Sequence, residues 1–172
     1  MVVLLLYSLP IKSSIRNYEV FFRKSILESL EAELKPEDVI FIDKNVFAHL
    51  HKDVQQLIKT NNHILIKATE KQKSYTALTP IIEELIESGF RKNNRLFAIG
   101  GGITQDITAF IASMMYRGVE WVFFPTTLLA QADSCIGGKK SINIGKYKNQ
   151  LGNFYPPRKI FIIPELVKTL PE

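Results

Sequence analysis

The chain of 172 residues is 46% hydrophobic and 23% charged, which is typical of a globular protein and argues against disorder. Its length suits one domain that covers residues 1–172. The net charge is +5, from 22 basic and 17 acidic residues, but the basic residues are scattered and accompany no nucleic-acid-binding motif. We therefore expect an anionic small molecule, rather than nucleic acid, as the ligand.

The cysteine content and the N-terminal apolar run indicate the compartment. Cys135 is the only cysteine, so the chain cannot form an intramolecular disulfide and fits a reducing compartment. The run Met1–Leu6 is shorter than the ~7–15 apolar residues of a signal-peptide core, and no stretch approaches the ~20 residues of a membrane span. We expect a cytoplasmic protein without a membrane partner.

The spacing of apolar residues predicts alternating strands and helices in the first part of the chain. In chain order these are strands at Val2–Ser8 and Tyr18–Phe22, a helix at Ser25–Leu34, a strand at Val39–Ile42, a helix at about Val46–Lys59 and a strand at Ile64–Lys67.

The same alternation continues to about residue 124. A helix is predicted to begin at Thr79 and Pro80, as its cap and first residue, and to end at Gly89. It is followed by a strand at Leu96–Ile99, a helix at Thr104–Met115 and a strand at Val119–Phe124. After Gly137 the pattern becomes irregular, with one further strand predicted at Ile160–Ile163.

This order predicts an α/β fold: a Rossmann-like, mainly parallel sheet with helices on both faces. In such sheets ligands bind beyond the carboxyl ends of the strands. Asp43, Gly100–Gly102 and Pro125–Thr127 each follow a predicted strand. We therefore expect these three polar clusters to meet at one edge of the sheet.

The three glycines of Gly100–Gly102 lie between a strand and a helix, a geometry suited to receiving a phosphate. They match neither the dinucleotide fingerprint nor the Walker A loop, and a tight strand-to-helix turn is the alternative interpretation. Asp106 follows one turn into the helix. It is either a ligand-binding carboxylate or a surface charge near the positive end of the helix dipole.

A second polar segment lies downstream. Lys139 and Lys148 flank a glycine-containing stretch together with Asp133 and Asn149, which favours a polyoxygenated anionic substrate, although solvated surface lysines are the alternative. Cys135 has no histidine in its segment, so a nucleophilic role is not expected. The three histidines precede the glycines, and a metal site built from this chain alone is not expected.

These residues also occur as a set of longer motifs. In chain order the motifs are Gly100-Gly101-Gly102 with Asp106, Tyr116-Arg117-Gly118, Pro125–Ser134, Gly137-Gly138-Lys139, Lys148-Asn149 and Gly152-Asn153-Phe154. The set closely resembles the 3-dehydroquinate synthase family of sugar phosphate cyclases. The segments Asp43–Val46 and Glu70–Ser74 are also similar to that family, so the resemblance covers nearly the whole chain.

The resemblance implies a fold and a reaction. In this family an NAD-binding α/β domain precedes a helical domain that carries a catalytic divalent metal, zinc or cobalt. Bound NAD⁺ oxidises a ring carbinol of a phosphorylated sugar or sugar acid, phosphate is eliminated, the carbonyl is reduced again, and the opened sugar closes by intramolecular aldol addition. The metal ligands of the family, one Glu and two His, would follow Leu170-Pro171 and lie beyond Glu172. We therefore expect the 172-residue chain to be inactive alone.

The resemblance also assigns roles to individual residues. Those implied to bind NAD are Asp43, Asn45, Glu70 and Lys73 near the adenosine, Gly101, Gly102 and Asp106 near the pyrophosphate, and Thr126, Thr127, Asp133 and Ser134 further along. Those implied to act on the substrate as catalytic and binding residues are Asp133, Lys139, Lys148 and Asn149. Arg117 resembles an arginine that reaches the neighbouring subunit's site, which implies a homodimer.

Three alternatives remain open from the sequence. The family usually reads Asn-His-Pro-x-Gly-Lys-Asn where this chain reads Asn143 to Asn149 without the histidine and proline, so a related cyclase substrate is possible. A metal-dependent polyol or glycerol dehydrogenase shares the glycine turn and the Pro-Thr-Thr element, although Lys139 and Lys148 argue against it. A non-catalytic nucleotide-binding module is the third interpretation.

Overall fold

The computed structural model describes residues 7–169. Seven of the strands in this part form one sheet, and two more form a separate hairpin. The strands of the sheet are β1 (Tyr7–Ile11), β2 (Tyr18–Phe22), β3 (Val39–Asp43), β4 (His63–Ile66), β5 (Leu96–Gly100), β6 (Trp121–Pro125) and β9 (Lys159–Ile162), and those of the hairpin are β7 (Lys139–Ile144) and β8 (Tyr147–Phe154).

The spatial order in the sheet is β1-β2-β9-β6-β5-β3-β4. Only the β1–β2 pair is antiparallel, and every other neighbouring pair is parallel. The chain leaves β3 toward β4 on one side, and it leaves β5 toward β6 on the other side. The sheet therefore has a topological switch point between β3 and β5, which is where a crevice for a ligand is expected.

Helices cover both faces of the sheet. Both faces are apolar, because successive side chains of a buried strand point to opposite faces and all of them must be kept from water. Val39 and Phe41 of β3 belong to one core cluster, and Ile40 and Ile42 belong to the other. The first cluster packs on α4 (Tyr75–Glu87) and α5 (Gly102–Met114); the second packs on α1 (Ile26–Glu33), α2 (Lys44–His49) and α3 (Lys52–Lys59). No helix in residues 7–169 is long and apolar enough to cross a membrane.

The Rossmann-like, mainly parallel sheet predicted from the sequence is confirmed. The strand predicted at Val2–Ser8 lies largely outside the described residues, and β1 begins at Tyr7. The single helix predicted over Val46–Lys59 is wrong. Leu50 is buried in an extended conformation and separates α2 from α3, and the His51 side chain caps α3 by accepting from the Asp53 N–H at 3.4 Å.

The start predicted at Thr79 and Pro80 for the helix that ends near Gly89 is also wrong. Helix α4 begins at Tyr75, after Ser74, and Pro80 lies inside it rather than at its first turn. Proline in a helix interior removes one backbone hydrogen bond. Leu78, Ile81 and Leu85 are buried along one stripe, and this apolar packing holds the helix through the proline.

The hairpin of β7 and β8 was not predicted, because the sequence after Gly137 shows no regular alternation. Seven of the eight residues of β8 are exposed and only Leu151 is half-buried, so this strand lacks the apolar face that makes a strand recognisable. Strand β7 packs on α5 through buried Ile142. The hairpin therefore forms a wall beside α5, outside the main sheet.

The turn from β5 to α5 is closely packed. A Cβ added at Gly100 would lie 2.6 Å from Thr104 Oγ1 and 2.7 Å from Thr104 Cβ, whereas a Cβ added at Gly102 would meet no atom within 4 Å. Gly100 thus lets the first turn of α5 lie directly against the strand end.

We expect Gly100→Ala to lower the free energy of unfolding by about 1–3 kcal/mol, because the added methyl group overpacks the turn. Gly102→Ala is the matched control, and its effect should stay within about 0.5 kcal/mol. Urea denaturation of both variants measures the difference. Equal losses of stability would show that close packing at Gly100 is not what shapes this turn.

Candidate functional site

Two cavities meet at Gly102, the first residue of α5. The strand-end groove, of about 500 Å³, lies at the switch point; its lining includes Asp43, Asn45, Gly101, Gly102, Thr126 and Thr127. The hairpin pocket, of about 920 Å³, lies between α5 and the β7–β8 hairpin; its lining includes Lys73, Asp106, Asp133, Ser134, Lys139 and Asn149. The three polar clusters that the sequence predicted at one sheet edge do meet in the groove.

The groove is built from strand ends and helix starts. Asp43 ends β3 and caps α2, since its carboxylate accepts from the Asn45 N–H at 2.8 Å. Thr126 follows β6, and its hydroxyl is buried without a hydrogen-bond partner among the described residues. A buried hydroxyl without a partner is unfavourable, so a ligand in the groove would supply the missing hydrogen bond.

Gly101 and Gly102 contribute to the groove in different ways. A Cβ added at Gly101 would lie 2.9 Å from Thr127 Cγ2, so this glycine allows contact within the protein itself. Gly102 faces open space and lines both cavities. Close approach of a ligand to the backbone therefore depends on Gly102, at the N-terminus of a 13-residue helix with its free N–H groups and positive dipole end.

A buried ion pair forms the floor of the hairpin pocket. Lys73 Nζ lies 2.7 Å from Asp106 Oδ2, and the Lys73 side chain is only 9% exposed. Burial raises the pKa of the Asp106 carboxyl, while the hydrogen bond and charge of Lys73 oppose that shift. The pair joins the loop before α4 to the first turns of α5. The resemblance implied that Lys73 and Asp106 bind NAD, but the structure places both in the hairpin pocket and not in the strand-end groove.

Asn149 connects this ion pair to the hairpin. Its carboxamide oxygen accepts from Lys73 Nζ at 2.7 Å and from Ser141 Oγ at 3.2 Å, and its backbone has a left-handed φ of 55°. The Asn149 N–H donates to Asn143 Oδ1 at 2.8 Å. Asn149 is therefore fixed in the pocket wall by three residues, through its side chain and its backbone. Asn143 is held in turn, because its Nδ2 donates to Glu70 Oε1 at 2.8 Å.

The segment between the two cavities carries Asp133 and Ser134, in a π-helical turn at Ala130–Ser134. Gln105, which is buried, donates to the Ser134 carbonyl at 2.7 Å and accepts from Ser134 Oγ at 3.1 Å. Asp133 is exposed and lines the hairpin pocket. The carboxylate of Asp133 is thus free to meet a ligand, while the Ser134 hydroxyl is engaged by Gln105.

Three of the predicted site residues line neither cavity. Glu70 binds Asn143 Nδ2, and Lys148 is exposed on β8. Arg117 is exposed in a turn where Tyr116, Arg117 and Gly118 all have positive φ values, of 49°, 62° and 105°. Non-glycine residues in this region are strained, and here Lys92 Nζ holds the turn by donating to the Tyr116 and Gly118 carbonyls.

Cys135 and the histidines do not build a reactive or metal centre. Cys135 is fully buried, and burial raises the pKa of its thiol, which disfavours the nucleophilic thiolate. His49 ends α2 and His51 caps α3. The two histidines therefore lie on different helices, whereas the predicted helix Val46–Lys59 contained both. Within residues 7–169 no three His, Cys, Asp or Glu side chains lie close enough together to hold a metal ion.

Sequence reasoning missed Lys140, Gln105 and Asn143. Lys140 is 5% exposed and lines the hairpin pocket, whereas its neighbour Lys139, which was predicted, is exposed at the pocket rim. Adjacent side chains of a strand point to opposite faces, so Lys139 and Lys140 of β7 differ in exposure. The sequence could not indicate this difference, because β7 was not predicted. Gln105 and Asn143 are neutral side chains whose partners lie far along the chain, and no local pattern marks them.

Comparison with known proteins places this site in a family. A family model described as 3-dehydroquinate synthase N-terminal matches residues 63–172. The 3-dehydroquinate synthase of Staphylococcus carnosus is 37% identical over 163 residues, covering 90% of this chain and 45% of that protein. The enzyme of Prochlorococcus marinus subsp. pastoris is 35% identical over 166 residues, covering 90% and 46%. The chain spans about half the length of these curated relatives.

Solved structures give the same result. A 2-deoxy-scyllo-inosose synthase complexed with carbaglucose-6-phosphate, NAD⁺ and Co²⁺ aligns with a TM-score of 0.81 and 26% identity, over 96% of this chain and 47% of that chain. A 2-epi-5-epi-valiolone synthase from Streptomyces hygroscopicus with NAD⁺ and Zn²⁺ bound aligns with a TM-score of 0.79 and 27% identity, over 93% and 46%. The expectation that proteins of this kind hold NAD and a divalent metal is confirmed by these two structures.

Dehydrogenases share the fold at lower similarity. An iron-containing alcohol dehydrogenase from Thermotoga maritima aligns with a TM-score of 0.65 and 16% identity, over 88% of this chain and 47% of that chain. At this identity the likeness concerns the fold alone. The family model, by contrast, matches the sequence of residues 63–172, and the curated relatives match 90% of the chain. The chain belongs to the 3-dehydroquinate synthase family, as its N-terminal domain.

Proposed function

We propose that residues 1–172 are the NAD-binding part of a sugar phosphate cyclase of the 3-dehydroquinate synthase type. The observation that carries this proposal is the meeting of two cavities at Gly102, one at the switch point of the sheet and one lined by three lysines and two aspartates. A nucleotide in the groove would reach from Asp43 past the start of α5 to the entrance of the hairpin pocket. The substrate would then lie in the pocket, next to the end of the cofactor.

The residues of the groove fit NAD. Thr126 offers a buried hydroxyl without a partner among the described residues, Gly102 offers an open backbone, and α5 offers free N–H groups to a pyrophosphate. Asp43 is half-buried and suits a ribose hydroxyl, for which an acidic side chain is the usual partner. Bound NAD⁺ would supply a hydride acceptor for a substrate carbinol and return the hydride later.

Within the hairpin pocket, the proposed substrate residues are Asp133, Lys139 and Asn149. Asp133 and Lys139 are exposed to the pocket and are free to contact hydroxyl and anionic groups. Asn149 has its carboxamide oxygen held by Lys73, so its NH₂ group is the part that can meet a substrate oxygen. Lys148 precedes Asn149 on the same strand, outside the pocket lining, and is proposed to contact the substrate from the edge of the pocket.

Turnover is proposed to need more than this chain. The curated relatives are about twice as long, and the described residues hold no group of metal ligands. A zinc or cobalt ion from a second domain would polarise the reacting oxygen. Arg117 is exposed and lines neither cavity of its own chain, which supports a homodimer in which this side chain serves the neighbouring subunit.

We expect the chain to bind NAD⁺ and to lose affinity as the side chain at residue 102 grows. Gly102→Ala should weaken binding, and Gly102→Leu should weaken it by at least about tenfold, because the added atoms would occupy the space of the pyrophosphate. Isothermal titration calorimetry with NAD⁺ measures both.

Thermal unfolding provides the control for the Gly102 variants, since a Cβ at residue 102 would meet no protein atom within 4 Å. Retained stability with reduced affinity supports a ligand over Gly102. NAD⁺ affinity that is unchanged in Gly102→Leu would contradict the proposed cofactor position.

The reaction class is tested with a protein that includes the second half found in the relatives. Incubated with NAD⁺, Co²⁺ and a phosphorylated seven-carbon sugar acid or glucose 6-phosphate, it should release phosphate without net NADH, because the hydride returns to the intermediate. Asp133→Asn should reduce phosphate release by at least about a hundredfold if its carboxylate takes part in proton transfer. Phosphate and absorbance assays follow the two products.

The contrasting outcome is steady NADH production from a polyol without phosphate release. That result would favour the dehydrogenase interpretation, whose present support is a likeness of fold alone. The isolated 172-residue chain is expected to release no phosphate under the same conditions. If the isolated chain did release phosphate, and Asp133→Asn abolished that release, the residues of this chain would be sufficient for turnover.

A further inference from the structure

Lys140 is a buried cation in the wall of the hairpin pocket. It lies on β7 and is 5% exposed, and it lines the pocket between the hairpin and α5. Its Nζ donates one hydrogen bond, to the Ser134 carbonyl at 3.3 Å. No acidic side chain among the described residues forms an ion pair with it, although a lysine ammonium carries three donors and buried charges are normally paired.

The charged groups around Lys140 explain why it has no counter-charge of its own. The Asp106 carboxylate on α5, whose charge acts on Lys140, is 2.7 Å from Lys73 Nζ and also accepts from the Ser141 backbone. The Cys135 thiol is buried and remains protonated. The pocket lining holds three lysines, Lys73, Lys139 and Lys140, against two aspartates, Asp106 and Asp133, so it carries an excess of positive charge.

We propose that Lys140 binds an anionic group of the substrate, a phosphate or a carboxylate, within the hairpin pocket. The proposal rests on the proposed function for the presence of a substrate in this pocket. It adds a residue that the sequence did not predict, and it places the anionic group against β7 and α5, deeper than exposed Lys139 at the rim. An anion here would supply the counter-charge and accept the hydrogen bonds that Lys140 cannot otherwise make.

The protonation of Lys140 supports the same role. Burial lowers the pKa of the Lys140 amine to about 8, Lys73 lowers it further, and the charge of Asp106 opposes the shift. The amine is therefore mostly protonated at neutral pH and loses its charge as the pH rises through about 8. Anion affinity should fall over the same range, and binding near pH 8 should be accompanied by proton uptake, because an anion stabilises the ammonium.

The test uses sulfate, a tetrahedral dianion whose charge does not change between about pH 7 and 9.5, the range in which Lys140 titrates and ordinary lysines do not. Binding to the 172-residue chain is measured by calorimetry in two buffers of different ionisation enthalpy. We expect Lys140→Met to weaken sulfate binding at pH 7 by at least about tenfold and to abolish proton uptake at pH 8. Lys146→Met is the matched control, since Lys146 is exposed in the hairpin turn and its loss changes the net charge equally.

Lys140→Met should be at least as stable as the parent chain, because it removes a buried cation that has no ion pair, and urea denaturation checks this. Equal sulfate affinity in Lys140→Met and the parent, or equal losses in both variants, would overturn the proposal.

A second arm distinguishes the substrate anion from the phosphates of NAD⁺. Sulfate binding is repeated with the protein saturated with NAD⁺, and we expect it to persist. Loss of sulfate binding under saturation would assign Lys140 to the cofactor and overturn the substrate role. Absence of NAD⁺ binding together with Lys140-dependent sulfate binding would contradict the proposed function while leaving the anion site intact.

Discussion

The close contact between Gly100 and Thr104 is the constraint on which the site depends. With no side chain at residue 100, the first turn of α5 lies directly against the end of β5. This contact fixes where the helix starts, and therefore where its free N–H groups point and where Gly102 is exposed. The same helix then carries Asp106 into the second cavity. One tight turn thus positions both cavities and the point at which they meet.

The wall of the hairpin pocket is attached in a different way from the sheet. The sheet is held by two apolar clusters, one on each face. The hairpin packs on α5 through β7, and it is also anchored by polar contacts from Asn149 of β8 to Lys73 and from Asn143 of β7 to Glu70. Directional contacts of this kind specify a geometry more narrowly than apolar packing does. They also leave the pocket lined by groups that can hydrogen-bond to a polar ligand.

The two cavities differ in charge as well as in shape. The strand-end groove combines a carboxylate, hydroxyls and a helix N-terminus, a set that suits a nucleotide with hydroxyl and pyrophosphate groups. The hairpin pocket places Lys73 and Lys140 around the half-buried carboxylate of Asp106 and has Lys139 at its rim. Electrostatics therefore favour an anionic ligand in the hairpin pocket, separate from a ligand in the groove.

The sequence by itself determined the sheet, the glycine turn and the convergence of Asp43, Gly102 and Thr126. Strands such as β3 are buried on both faces and read as continuous apolar runs, and parallel strands bring their carboxyl ends to one edge. Those features depend on residues close together in the chain.

Tertiary structure decided the hairpin, the burial of Lys140 and the contact of Lys73 with Asn149, 76 residues away. It also decided the break at Leu50 and the passage of α4 through Pro80, where packing overrode the local signals. Strand β8 has no apolar face, so nothing in its sequence indicated a strand. Lys140 rather than Lys139 is buried because β7 packs one of its faces on α5. Side chains alternate between the two faces of a strand, but the sequence alone does not show which face will be covered.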